Sequence, residues 1–224
     1  MRIIKYLVVA YLSFNNLFSD ENNTTLPSIK KISQNLYNFG DIIIKRDEKS
    51  FSLPAVSNQI RGLVEYGIVH VDGKIHESLF RTAIRPQIFH ASLLLLRAKP
   101  DESFFKNLWS ENPKKIDYSE KCLSIEVNWD VNGTKKKSSF EKLFINQARD
   151  VQLFKRSFLF TGSRLIEGTF LAESTGSILA IYADDNAIIN NSDYDSNNDD
   201  VWIANEKEMP PLETPVTISF HLPK

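Results

Sequence analysis

Pro86 opens the segment that most constrains this chain. Residues 86–98 read Pro-Gln-Ile-Phe-His-Ala-Ser-Leu-Leu-Leu-Leu-Arg-Ala. Proline fixes φ at a first helical position, and the residues after it have helical spacing. Ile88, Phe89, Ser92, Leu93, Leu95 and Leu96 cover much of the helix circumference. A helix apolar nearly all round is expected to be buried against a sheet. Lys99-Pro100 closes it. His90 falls between its two apolar rows.

The surrounding sequence supplies that sheet. Asp41–Lys45, Ser50–Leu53 and Leu63–Val71 are short and rich in β-branched or aromatic residues, as strands are. Asp72-Gly73 marks a turn. Cys122–Trp129 and Thr134–Ile145 read as a hairpin around Asn132-Gly133. Ser157–Phe160, Leu179–Ala183 and Val201–Ala204 are further strand segments. Val216, Ile218, Phe220 and Leu222 alternate with Thr217, Ser219 and His221 in the last one. The expected class is α+β: a mostly antiparallel β domain with one buried helix near residues 86–98. The tryptophans Trp109, Trp129 and Trp202 fit core or strand positions better than a stacking platform.

The domain is expected over residues 36–224. Residues 20–35, polar and rich in Asn and Thr, read as a flexible leader. Residues 1–19 have the layout of a secretory signal: Arg2 and Lys5, then an apolar run from Ile3 to Leu12, then polar residues. Cleavage is expected after Ser19, the alternative being an uncleaved anchoring segment. The chain is therefore expected to be exported, to the periplasm or beyond, with no membrane span once the signal is removed.

Charge and cysteine content narrow the function classes. A formal net charge of −1 gives no basic footprint for nucleic acid, and Lys135-Lys136-Lys137 reads as a solvated hairpin face. The single cysteine, Cys122, cannot form an intramolecular disulfide or supply the thiolates of an Fe–S cluster. It reads as a small buried hydrophobe.

Four motifs then occur in order: the stretch 74–100 with its His76-Glu77-Ser78 step and Pro-led helix, Phe158-Leu-Phe-Thr-Gly-Ser163, Ile181-Tyr-Ala-Asp184, and Met209-Pro-Pro-Leu-Glu-Thr-Pro-Val-Thr217. In this order they resemble the YdjY-domain family, exported bacterial proteins of uncharacterised function. The resemblance spans roughly residues 40–222. Arg97 and Glu213 stand where that family usually has glycine. Asn186-Ala187 replaces an Asp-Gly, and Phe158 replaces a common tryptophan.

The candidate ligand-binding residues are His76, Glu77, Ser78, Arg81, Arg85 and His90. Two imidazoles and a carboxylate, from His76, Glu77 and His90, are a ligand set for Zn²⁺ or another divalent metal. An open fourth position would then allow hydrolysis. The competing reading pairs Glu77 with an arginine and gives His90 a hydrogen bond in the core. Arg81 and Arg85 suit either a ligand carboxylate or internal pairs with Glu65 and Glu77. Asp193, Asp195, Asn197 and Asp199 alternate like the front of a calcium loop. The glycine and closing glutamate of an EF-hand are missing, so only a weak surface site is left. Ser78 and Ser163 lack the surroundings of a nucleophile. The expected function is a non-enzymatic envelope protein that binds a small molecule, a metal or a partner protein. The alternatives are a metal-dependent hydrolase built on His76, Glu77 and His90, and a purely structural interaction module.

Overall fold

The structure, a computed structural model, describes residues 26–223. The expected signal, its cleavage after Ser19 and the first part of the leader lie outside the described residues. Strands β1 (Ile29–Lys31), β2 (Leu36–Phe39), β3 (Ile42–Lys45) and β4 (Ser50–Ser57) form an antiparallel run. Thus β1 lies within the stretch read as a loose leader: its backbone pairs with β2, and the sheet begins there. Next come β5 (Tyr66–His70), β6 (Ser78–Thr82), α1 (Pro86–Leu95) and α2 (Ser103–Leu108). The second half contains β7 (Ser124–Val131), β8 (Thr134–Ser139), β9 (Phe144–Asn146), β10 (Val151–Gln152) and β11 (Phe158–Phe160). After β12 (Leu165–Ile166), β13 (Thr169–Phe170) and α3 (Leu171–Thr175) come β14 (Ser177–Ala180), β15 (Ile189–Asn191), β16 (Trp202–Ala204) and β17 (Pro215–His221).

The long strand β4 is the branch point. β17 runs along one side of it, while β3 and β6 share the other. From β17 the sheet continues to β7 and β8; from β6 it continues through β5, β14 and β15 to β11. Leu123, immediately before β7, then bridges Phe158 of β11. The path β7–β17–β4–β6–β5–β14–β15–β11 therefore returns on itself as a barrel-like ring. β9, β10 and β16 make a separate small sheet, and β12 with β13 a short hairpin.

The expected alternation of the last strand is present. Val216, Ile218 and Phe220 of β17 are buried, facing the same core as Leu53 of β4 and Ile125 and Val127 of β7. Most pairings are antiparallel, but β5/β6 and β14/β15 are parallel. Both parallel returns are tight, over residues 71–77 and 181–188. That is well short of the dozen or more residues such crossovers usually need. Close packing accompanies them. A Cβ on Gly67 of β5 would lie 2.7 Å from both Leu179 and Phe140, which is closer than carbon atoms pack.

Three features depart from the expected layout. The arm 134–145 is not one strand: a 3-10 turn over Phe140–Leu143 interrupts it. That turn drives Phe140 into the core, where the rings of Phe80, Phe144 and Phe158 surround it at 5.4–5.7 Å. The helix is shorter than 86–98 and is not buried all round. Phe89 and Leu93 are fully buried, but Leu94 and Leu95 are 48% and 46% exposed. α1 lies on the surface of the core with one face outward, and α2 and α3 join it. Trp202 is fully buried, whereas Trp109 is 56% exposed and stands against the Phe105 ring, 4.5 Å away, at the end of α2.

Candidate functional site

The His76-Glu77 step sits in a 3-10 turn, Ile75–Glu77, that delivers the chain into β6. The register of the parallel β5/β6 pair brings it beside the start of β5, where Glu65 N–H donates to Glu77 O at 3.0 Å. Three side chains meet there. His76 Nε2 lies 2.8 Å from Glu77 Oε1. The other oxygen, Glu77 Oε2, is buried, and no N–H or O–H donor of the described residues reaches it. Its neighbour is the Glu65 carboxyl, whose pKa is pushed up to about 7. Burial is the first cause, and the hydrogen bond and charge of Glu77 follow. A carboxyl that keeps its proton in this way can donate to a neighbouring carboxylate oxygen, which is the kind of donor Glu77 Oε2 lacks. Beside it, Lys74 Nζ donates to Tyr66 Oη at 3.0 Å, and Tyr66 Oη donates to Asp184 Oδ2 at 2.9 Å.

The other predicted site residues do not join this cluster. Ser78 is fully buried and donates its hydroxyl to Phe80 O at 2.8 Å, a strand position closed to ligand. Arg81 forms a two-pronged pair with Glu213 and also donates to Asn58 Oδ1 at 3.0 Å. Its guanidinium holds the Glu213 carboxyl below the usual range. Arg85 pairs with Glu173 of α3, and the same carboxylate accepts Gln87 N–H at 2.8 Å, capping the start of α1. Both arginines are thus held by internal pairs, but with Glu213 and Glu173 instead of Glu65 and Glu77.

His90 stands against the rings of Phe160 and Phe170, at 5.6 and 5.0 Å, and burial lowers its pKa. The reason it does not meet His76 is topological. The turn carrying His76 lies at the start of β6, and α1 departs from the end of that strand, roughly 16 Å along it. Among the described residues no three His, Cys, Asp or Glu side chains converge closely enough to hold a metal ion. The expected ligand set of His76, Glu77 and His90 is not assembled. Two acids of the acidic loop are likewise committed internally, while Asn197 and Asp199 are exposed. Asp193 accepts Phe154 N–H at 2.9 Å and Tyr194 N–H at 2.7 Å, and Asp195 pairs with Arg149 at 3.0 Å. Cys122 is buried as expected, and desolvation raises its thiol to about 11. It is an unreactive thiol.

A well-formed concavity lies elsewhere. A cleft of about 780 Å³ opens between two walls. One wall is α2 and the loop that follows it to Ser119; the other is formed by residues 154–157, ahead of β11, and 192–197, beyond β15. Aromatic pairs stand in both: Phe104 with Tyr118 at 5.6 Å, and Phe154 with Tyr194 at 5.3 Å. Asn107 of α2 fixes the backbone of the first wall, accepting Lys114 N–H at 2.9 Å and donating to Lys114 O at 2.8 Å. One sequence reading touches it: Asp193, Asp195 and Asn197 of the acidic alternation line this cleft. A further trace is two basic dipeptides, Lys114-Lys115 and Lys155-Arg156, each near aromatic residues and far apart in sequence.

No helix among the described residues is long and apolar enough to cross a membrane. The family model described as YdjY domain matches residues 42–221. No curated protein and no solved structure matches the chain.

Proposed function

The chain belongs to the YdjY-domain family, and on that premise we propose that it is a non-enzymatic, exported envelope protein whose cleft binds a small molecule. One observation carries the reading: the cleft of about 780 Å³ with aromatic side chains in both walls. Its size falls in the range of ligand pockets, and an apolar lining with a few fixed polar groups is what such pockets present. Phe154 is 60% exposed within it, a large apolar ring that a ligand would cover. The hydrolase alternative lacks its ligand set, because His76 and His90 belong to different ends of β6. Export rests on the sequence of residues 1–19 alone.

Asn197, exposed in the cleft lining, gives a direct test. The neutral fluorescent probe N-phenyl-1-naphthylamine is expected to bind wild-type protein with micromolar affinity. Asn197→Trp should weaken it by tenfold or more, with an unchanged circular dichroism spectrum. A probe that ignores the substitution would move the binding site elsewhere. For export, the protein recovered from the envelope fraction is expected to begin near residue 20, and material beginning at Met1 would defeat that part.

A further inference from the structure

We infer that the cleft selects small organic anions with a flat apolar body, such as aromatic carboxylates or sulfonates; this rests on the cleft being the binding site. The inference comes from an imbalance in the way its charges are used. Three acids line the cleft: Asp117, Asp193 and Asp195. Each is occupied from within the protein. Asp117 accepts Ser119 N–H at 2.9 Å. Asp193 accepts two backbone N–H groups, and Asp195 is held by Arg149 and by Asn146 Nδ2 at 3.0 Å. The lysines are used differently. Lys114, Lys115 and Lys155 line the same cleft and make no ion pair among the described residues. Glu141, the acid behind Lys155, is buried and spends its carboxylate on Arg156 N–H at 3.0 Å. Arg156 meets only exposed Glu120, at 3.6 Å.

The carboxylates keep their charge but spend acceptors on internal hydrogen bonds, while the lining still carries four cations, Lys114, Lys115, Lys155 and Arg156, against three acids, and its lysines remain available to a ligand. The available cations are divided between the walls, Lys114 and Lys115 on one and Lys155 on the other. An anion between them is approached from both sides, and a ring attached to it lies against Phe154 and Tyr194. Lys114, Lys115 and Lys155 are exposed, so each contact to an anion is individually modest, but a charge-assisted hydrogen bond is still stronger than a neutral one. A negatively charged aromatic molecule is therefore preferred over its neutral counterpart.

Two dyes that share a naphthyl–phenylamine body separate the inference from the reading it rests on. 1-Anilinonaphthalene-8-sulfonate carries one negative charge, and N-phenyl-1-naphthylamine none. The sulfonate is expected to bind the mature chain about tenfold tighter in low salt. Combined Lys114→Gln, Lys115→Gln and Lys155→Gln substitutions should lower the sulfonate's affinity about tenfold, to that of the neutral dye, whose own affinity changes by less than about threefold. Equal affinity of the two dyes for wild type, or a sulfonate advantage that survives the triple substitution, would overturn anion selectivity while leaving the cleft as a site. Loss of both dyes only in Asn197→Trp supports the site itself. No binding of either dye to wild type would remove the site and the selectivity together.

Discussion

Glu65 and Glu77 show how a single residue changes meaning once its neighbour is known. Sequence offered Glu77 as a metal ligand or an arginine partner. The parallel pairing of β5 with β6 instead sets it against a second carboxyl. Glu65 holds its proton more tightly in the folded chain, to about pH 7, than an ordinary carboxylate near 4.5. The stability it contributes is therefore full below about pH 4.5 and is lost as pH rises towards 7. Partial exposure limits this to roughly 1 kcal/mol. Melting curves of wild type should shift downward across that window, and Glu65→Gln, which keeps a donor without the charge, should flatten the dependence. An identical pH profile in the variant would exclude the shared proton. Arg97 and Glu213 carry a second lesson at this scale. Both have positive φ, 64° and 60°, and both stand where family members usually carry glycine. These two of the departures noted in the sequence fall where a left-handed backbone favours glycine. Arg97→Gly is expected to raise stability by about 1 kcal/mol in denaturant titration. Glu213→Gly should gain less, because Arg81 loses its partner.

At the scale of elements, what was legible followed from local chemistry. Period-2 alternation located β17, and Pro86 located the start of α1. What was not legible depended on partners distant in sequence. The break at Phe140 exists because the interior between Phe80 and Phe158 takes a ring there, and nothing in Lys135–Ile145 announces it. The turn of Ile75–Glu77 exists because β6 must return parallel to β5 in few residues. α1 borrows its N-terminal cap from α3: Glu173 accepts Gln87 N–H and pairs with Arg85. Glu173→Ala should cost about 1–3 kcal/mol, since it strips a cap and leaves a half-buried arginine unpaired. A thermal shift no larger than that of an exposed glutamate would contradict the capping role. Gly67 marks the tightest strand contact. Gly67→Ala should destabilise by about 1–3 kcal/mol through overpacking against Leu179 and Phe140.

Over the whole molecule, the ring and the cleft share one location. The ring closes at Leu123, whose N–H donates to Phe158 O at 2.8 Å. Tyr118 and Ser119 lead into Leu123, and residues 154–157 lead into Phe158; both segments are walls of the cleft. The candidate site was hard to read from sequence because its walls come from three separated segments: the β11/β15 pairing brings 154–157 beside 192–197, and ring closure brings the loop before Ser119 to them. A seam joined by a single backbone bridge among the described residues has fewer ladder hydrogen bonds than the paired strands, and opens at less cost than they do. A molecule lodged across the two walls would act as a clasp on that seam. The Leu123 amide should then exchange its hydrogen more slowly in the presence of the naphthalene sulfonate, while amides of β5 and β6, on the far side of the ring, keep their rates. Occupancy of the cleft would in this way be reported as mechanical closure of the barrel.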